Sequence, residues 1–195
     1  MLYCFGEHMK FIKKYLFCII IALLVAVDRL TKEIVVTHLS LGESKPLIKG
    51  VFSFTYIRNE GMAWGMFAGG RYIFLIFTLV AVAFFFYMYR NTVGEKRYAF
   101  FRSLLVMLTA GAIGNMIDRA TLGYVIDFLD FRLINFPVFN FADILVTVSM
   151  ILLFILLLFR FDGDDMDRII GKKPGNDASH DEQEETSQAS KEEDA

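Results

Sequence analysis

Cysteine and histidine are scarce in this sequence, with two Cys and three His among 195 residues. Cys18 lies inside a long apolar run and Cys4 lies near the N-terminus, so we expect no disulfide. The histidines are scattered without a His-Glu-x-x-His segment, which excludes the commonest zinc-peptidase pattern. Gly-x-Ser-x-Gly, Ser-x-x-Lys and glycine-rich nucleotide-binding loops are also missing. We therefore expect no metal, no other cofactor and no nucleic-acid partner.

Apolar residues, in contrast, are abundant and occur in long blocks. They make up 55% of the chain, with 21 Phe and 9 Met, which is high for a soluble domain. A helix needs about 20 mostly apolar residues to cross a bilayer. Four segments come close to that length: residues 15–36, 72–89, 100–117 and Phe141–Phe159. We predict a membrane all-α fold with a four-transmembrane-helix bundle, because these segments lack the polar stripe of helices in a soluble bundle.

The chain divides into three predicted regions. Residues 1–14 form a short N-terminal region, in which Met9 is a candidate start that would leave out residues 1–8. Residues 15–161 form the membrane domain, which includes a long loop over residues 37–71. Residues 162–195 carry a net charge of −8, whereas residues 1–161 carry +6. The tail has too few apolar residues to offset its ordering entropy, so we predict that it is disordered.

The distribution of basic residues predicts the orientation in the membrane. Three Lys precede the first helix, and four basic residues lie in the loop over residues 90–102. Short loops rich in Lys and Arg favour the cytoplasmic side, so both termini are predicted to be cytoplasmic. The unusual polar residues of the apolar segments then gather near the extracytoplasmic face, where an ionisable group is a functional candidate by default.

The loop over residues 37–71 shows an alternating pattern. Its middle part, KPLIKGVFSFTYIRN, alternates apolar residues with β-branched and aromatic types, which is typical of short strands. We predict two or three strands that form a small extracytoplasmic β-cradle in this first outer loop. Such strands could rest on lipid headgroups, or could hold an extended peptide as an additional strand.

Two groups of polar residues lie next to the first two apolar segments. Asp28 and Lys32 are four residues apart with the acid first, the favourable order for a helical ion pair; contact with substrate or a lipid headgroup is the alternative. Asn59 and Gly61 belong to RNEGMAWG, where glycine permits a sharp turn and close approach of other groups. The segment could therefore form part of a site that another group approaches closely, or it could be a simple interfacial turn.

A third group lies near the end of the third apolar segment. Asn115 and Asp118 share a helix face, and Arg119 follows directly in the sequence. We expect Asp118 and Arg119 to form a buried ion pair that braces the bundle, rather than a catalytic pair.

The carboxylates of greatest interest are Asp127 and Asp143. Asp143 stands at the edge of a long uncharged run, where an ionised group is costly. Two carboxyl groups within hydrogen-bond reach share a proton and can act together as base and acid in peptide hydrolysis. Solvated interfacial acids, or a proton or cation site in a small membrane carrier, are the alternatives that the spacing leaves open.

Residues 10–160 resemble the prolipoprotein signal peptidases of bacteria, the signal peptidase II family. The resemblance rests on four motifs in order: VDRLTK, RNEGMAWG with Ala63, GNMIDR continuing to GYVIDF, and FNFAD. It implies a catalytic dyad of Asp127 and Asp143 and a supporting role for Asp118. It also implies polar residues that surround the dyad or contact substrate, namely Asn59, Asn115, Arg119 and Asn140. Arg29 departs from the family pattern, in which Gln is common.

The resemblance further implies an activity. The family consists of metal-independent aspartic endopeptidases that remove the signal peptide from diacylglyceryl-modified lipoprotein precursors, just before the lipidated cysteine. The expected partners are these prolipoproteins and membrane lipid, and a monomer is expected. The expected location is the bacterial cytoplasmic (inner) membrane, with the active site near the extracytoplasmic face.

Overall fold

A computed structural model describes residues 2–61 and 71–172 of the chain. The helices and strands follow in this order: α1 Leu2–His38, β1 Ser44–Ile48, β2 Phe52–Asn59, α2 Arg71–Asn91, α3 Ala99–Thr121, β3 Val125–Phe131, α4 Phe141–Phe159 and α5 Gly163–Ile169. Short 3-10 turns precede α3 and follow β3. Ala63 of the RNEGMAWG segment lies outside the described residues.

The predicted helices form, and the bounds of α4 agree with the prediction. Among the described residues, three helical segments are long and apolar enough to cross a membrane: Tyr72–Asn91, Lys96–Thr121 and Phe141–Phe159. The helix α1 is longer than each of them, but Asp28, Arg29 and Lys32 interrupt its apolar stretch. A fourth span therefore stays a prediction.

The helix α3 is the centre of the bundle and packs against α1, α2 and α4. Its close approach to α4 depends on Gly111, where an added Cβ would lie 2.5 Å from the carbonyl oxygen of Ala142. At Gly114 an added Cβ would lie 2.7 Å from Oδ2 of Asp28 on α1. Small residues thus bring three helices together at the level of the polar residues, as is common in membrane bundles.

The three strands form one antiparallel sheet in the order β1-β2-β3. Two strands come from the loop predicted to contain them, but β3 comes from the segment between α3 and α4 and carries Asp127. Ile57 on β2 pairs with Asp127, and Asn59 pairs with Val125. The placement of the whole sheet in the first outer loop is therefore wrong, because its third strand follows α3.

The sheet rests on the end of α1. Val35 of α1 and Leu39, which directly follows α1, pack with Tyr56, Ile126 and Phe128 in one buried apolar cluster, with Phe54 at its edge. The sequence left open whether the strands of this loop rest on lipid headgroups or hold an extended peptide. Tyr56 is instead buried against α1, so it fixes the sheet on the bundle.

The start of the acidic tail is ordered, contrary to the prediction of disorder over residues 162–195. The helix α5 begins with an Asp162 capping box and buries Ile169 completely. Asp165 accepts hydrogen bonds from Arg97 and from the Tyr98 hydroxyl. This ion pair lowers the pKa of Asp165 below its usual range. Residues 173–195 lie outside the described residues.

Candidate active site

Asp127 is buried in the middle of β3 and accepts two amide hydrogen bonds. Asn140 donates through Nδ2 to Oδ1 at 2.6 Å, and Asn59 donates through Nδ2 to Oδ2 at 2.8 Å. Burial, together with the nearby charge of Asp143, raises the pKa of Asp127 to about 7. The two amides partly oppose this shift because they stabilise the ionised carboxylate. Asp127 therefore exchanges its proton near neutral pH.

Asp143 lies in the first turn of α4, where it forms a capping box with Asn140. The Asn140 backbone N–H donates to Oδ2 of Asp143 at 3.0 Å, and the Asp143 backbone N–H donates to Oδ1 of Asn140 at 3.0 Å. Asn115 on α3 donates through Nδ2 to Oδ1 of Asp143 at 2.7 Å. These hydrogen bonds hold the Asp143 carboxyl group in the first turn of α4, where the positive end of the helix dipole lies.

Asp127 and Asp143 line the same open cavity, which has a volume of about 520 Å³. Asn59, Gly61 and Arg119 also line it. The other walls come from α4 and from the loop that precedes it: Phe136, Pro137, Val138, Phe139, Ile144, Thr147 and Val148. A polar floor with two carboxyl groups thus opens toward apolar walls, an arrangement that can receive a chain with both polar and apolar parts.

Two asparagines connect the carboxylates. Asn140 donates to Asp127 and also to Oδ1 of Asn115 at 3.1 Å, and Asn115 donates to Asp143. The same Oδ1 of Asn115 accepts a hydrogen bond from Lys32 Nζ at 3.0 Å. Because Lys32 can only donate, it fixes the orientation of the Asn115 amide and points its Nδ2 at Asp143.

A buried charge cluster lies behind the cavity. Lys32 Nζ lies 2.8 Å from Oδ2 of Asp28 and 2.8 Å from Oδ2 of Asp118, and all three side chains are 1% exposed or less. Asp28 also accepts from the backbone N–H of Ala142 at 3.0 Å, next to Asp143. This complete burial favours the structural alternative for Asp28 and Lys32 over contact with a substrate or a headgroup.

The expected ion pair between Asp118 and Arg119 is wrong. Within the described residues, Asp118 forms salt bridges with Lys32 and Arg29, because its side chain points toward α1. Asp118 also accepts a hydrogen bond from the backbone N–H of Ile126 at 3.3 Å, which ties β3 to α3. Arg119 turns the other way into the cavity, with its guanidinium 5.0 Å from the centre of the Phe74 ring.

The structure brings most of the predicted site residues to one place. Gly61 lies beside the cavity, and its N–H donates to Oδ1 of Asn59 at 3.2 Å. Sequence reasoning missed the wall formed by residues 136–139, and it missed that Arg29 pairs with Asp118. The unusual Arg at position 29 was the available signal for the second of these. In the described part of the chain, no group of three or more His, Cys, Asp or Glu side chains could hold a metal ion.

Comparison with known proteins defines the class of protein and then the family. Two solved structures of a bacterial membrane enzyme superimpose with a TM-score of 0.65 at 34% identity, and the first covers 73% of this chain and 87% of that one. The fold is therefore that of a membrane enzyme with several apolar helices and a small antiparallel sheet.

The sequence comparisons are more specific. The family model described as signal peptidase (SPase) II matches residues 20–159. A lipoprotein signal peptidase of Lactobacillus johnsonii is 39% identical, covering 78% of this chain and 97% of that protein. A lipoprotein signal peptidase of Clostridioides difficile is 41% identical, covering 74% of this chain and 95% of that protein. The chain belongs to the signal peptidase II family, and membership in a peptidase family favours hydrolysis over the carrier alternative.

Proposed function

We propose that this protein is an aspartic endopeptidase that removes the signal peptide from diacylglyceryl-modified lipoprotein precursors. It cleaves just before the lipidated cysteine. The observation that supports this proposal best is the pair of carboxyl groups in one cavity, held in different surroundings. Asp127 is buried with a raised pKa, whereas Asp143 is held by Asn115 and a helix N-terminus. Different surroundings for two carboxyl groups favour opposite protonation states and therefore opposite roles.

In the proposed resting site Asp127 carries the proton and Asp143 is ionised. Asp143 accepts a proton from a water molecule as the water oxygen attacks the scissile carbonyl carbon. Asp127 donates its proton to the carbonyl oxygen, so that a neutral tetrahedral diol forms without a free oxyanion. Arg119, on the cavity wall, adds a fixed positive charge near the reacting groups.

Collapse of the diol reverses the two roles. Asp143 passes its proton to the leaving nitrogen as the carbon–nitrogen bond breaks. Asp127 takes the proton of one hydroxyl, and the carbonyl of the new carboxyl group forms. Asp127 is then protonated and Asp143 ionised, as at the start. Asn115 and Asn140 hold both carboxyl groups throughout, because each asparagine is hydrogen-bonded to one or both of them.

The lipid provides a reason for the apolar walls. Burial of acyl chains contributes about 0.8 kcal/mol per CH₂ group, so two long chains add far more binding energy than a short peptide. Ile144 and Val148 of α4 are partly exposed and line the cavity, where an acyl chain could pass from the bilayer. We propose that the monomer acts in the bacterial inner membrane, with both termini cytoplasmic and the dyad near the extracytoplasmic face.

The test compares a diacylated precursor with the same precursor lacking the lipid, each incubated with purified protein in nanodiscs and analysed by mass spectrometry. We expect cleavage before the lipidated cysteine, a kcat/KM lower by orders of magnitude for the unlipidated form, and no effect of EDTA. Equal kcat/KM for both forms would contradict the lipid specificity. Loss of activity with EDTA that a divalent ion restores would contradict the aspartic mechanism.

A further inference from the structure

The end of the sheet that carries the turn between β1 and β2 and the 3-10 turn after β3 exposes an unusual amount of apolar surface. We call this surface the distal patch and define it as Leu47, Ile48, Leu133, Ile134 and Phe136. These side chains are 51–67% exposed, with Ile134 at 67% and Phe136 at 51%. Scattered exposed apolar residues are normal on a protein surface, but a contiguous group marks an interaction site.

Two separate turns form the patch, and backbone hydrogen bonds join them. Leu47 and Ile48 lie at the turn between β1 and β2, and Leu133 and Ile134 lie in the 3-10 turn after β3. The backbone N–H of Arg132 donates to the carbonyl oxygen of Val51 at 3.0 Å. The sheet therefore holds both turns side by side, and their apolar side chains form one surface.

The charges of the patch have one sign. The charged residues within 47–51 and 131–136 are Lys49 and Arg132. Lys49 is exposed, whereas Arg132 pairs with Asp130 at 2.9 Å. Exposed apolar side chains beside basic ones are the composition of segments that lie in the headgroup region of a membrane with anionic lipids. A protein partner would have to place acidic residues opposite Lys49. A neighbouring bilayer with anionic lipids supplies that negative charge through its headgroups.

The patch is also continuous with the membrane-facing part of the cavity. Phe136 belongs to the patch and lines the cavity with Ile144 and Val148 of α4, whose side chains are 37% and 40% exposed on an apolar helix. One wall of the cavity is therefore a loop whose tip carries the exposed Leu133 and Ile134. Insertion of that tip into lipid would hold the loop, and with it the cavity entrance, at the membrane surface.

We infer that the distal patch is a membrane anchor, which inserts into the bilayer leaflet on the side of the dyad and contacts anionic headgroups through Lys49. The sheet is then attached at both ends, to α1 by its buried cluster and to lipid by the patch. This fixed depth keeps the cavity entrance open toward the acyl-chain region.

Fluorescence of a single tryptophan tests the anchor without requiring turnover, so its outcome is independent of the proposed function. Trp64 is the only tryptophan in the sequence, so Leu133→Trp and Ile134→Trp are each made in a Trp64→Phe background. The proteins are placed in nanodiscs of phosphatidylglycerol with or without brominated acyl chains. We expect bromine to reduce the emission about twofold or more, and aqueous iodide to quench weakly. The second position guards against a single variant that does not fold.

Three outcomes would overturn the inference. Strong quenching by iodide with no effect of bromine would show that the patch lies in water. Protection from both quenchers would show that protein, such as a second copy of the chain, covers it. The third outcome concerns Lys49→Glu, which is measured in nanodiscs of phosphatidylglycerol and, as a control, of phosphatidylcholine. We expect this variant to weaken bromine quenching in phosphatidylglycerol and to have no effect in phosphatidylcholine. Unchanged quenching in phosphatidylglycerol would contradict the headgroup contact.

Discussion

Asp127 is the residue whose surroundings make the clearest prediction about activity. Burial and the Asp143 charge raise its pKa to about 7, and the proposed mechanism requires it to be protonated. We therefore expect kcat/KM to fall about tenfold per pH unit above pH 7, along one limb of the pH profile. A profile that rises through this range would contradict the assignment of Asp127 as the acid.

Asn59 provides the matched variant for this pH profile. Its amide donates to Asp127 and stabilises the ionised form, which lowers the pKa of Asp127. Asn59→Ala should therefore move the descending limb to higher pH. The same linkage affects stability: the free energy of unfolding should fall as pH rises from about 4, where aspartate titrates in an unfolded chain, to about 7. Asp127→Asn should make this slope less steep than in the wild type in a pH series of chemical denaturation, because it removes the contribution of Asp127.

Asp118 makes a different prediction because its role is structural. It is completely buried and pairs with Lys32 and Arg29, so Asp118→Asn removes one of the two carboxylates beside the buried Lys32, and also the carboxylate that pairs with Arg29. Loss of one partner of a buried pair costs about 3–5 kcal/mol, and we expect a clearly lower thermal midpoint. Asp127→Asn is the control, since it removes an ionisable group that burial disfavours. A normal midpoint with abolished cleavage would place Asp118 among the catalytic residues.

Sequence reasoning at the residue scale predicted identities better than partners. Asp118 and Arg119 are adjacent in the sequence, yet consecutive helical residues point about 100° apart, and the two side chains lie on different sides of α3. The true partner, Lys32, is far away in the sequence. Its position depends on how α1 packs against α3, which no local pattern encodes.

At the scale of elements, the packing of α3 on α4 positions the dyad. A Cβ at Gly111 would lie 2.5 Å from the Ala142 carbonyl oxygen and 2.8 Å from the Val146 side chain. Gly111→Ala should push away the first turn of α4, which carries Asp143, and lower kcat by about 100-fold, as expected for a displacement of about 1 Å. Gly163→Ala is the control, because a Cβ there meets nothing within 4 Å. Equal kcat for both variants in the cleavage assay would contradict this positioning.

The helix α5 makes a prediction about stability rather than activity. Ile169 is fully buried in the cluster that contains Phe101 and Leu153, so Ile169→Ala should lower the free energy of unfolding by about 2–5 kcal/mol. Ile170 is 38% exposed, and Ile170→Ala should change it by about 0.5 kcal/mol or less. Denaturation of the two variants in one detergent makes the comparison, and similar losses would mean that α5 does not dock as described.

The elements also show where composition misleads. The acidic composition of residues 162–195 predicts disorder, but Asp165 binds Arg97 and Tyr98 and thereby docks α5 on the bundle. Composition averages over the whole tail and cannot detect one buried isoleucine at its start. Phe141–Phe159 was predicted correctly because its apolar run begins directly after the Asn140 cap, a local signal.

At the scale of the whole molecule, helices, sheet and site were predictable to different degrees. Long apolar blocks determine the helices, because a bilayer requires them. The strand β3 was missed because its residues VIDFLDF show no strict alternation and pair with strands far away in the sequence. The residues around the dyad were identified through motifs, whereas the apolar wall over residues 136–139 depends on how the loop folds back along β3, where Phe139 pairs with Leu129.

The central claim is that Asp127 and Asp143 together hydrolyse the peptide bond, and one measurement tests it most directly. Single-turnover cleavage of a diacylated precursor is followed by mass spectrometry for the wild type, Asp127→Asn and Asp143→Asn, all in the same nanodiscs. Asparagine preserves the shape of the side chain but cannot exchange a proton, so we expect each variant to lose at least about 1,000-fold in rate while remaining folded, as shown by a cooperative thermal transition. Near wild-type turnover by either folded variant would contradict the dyad.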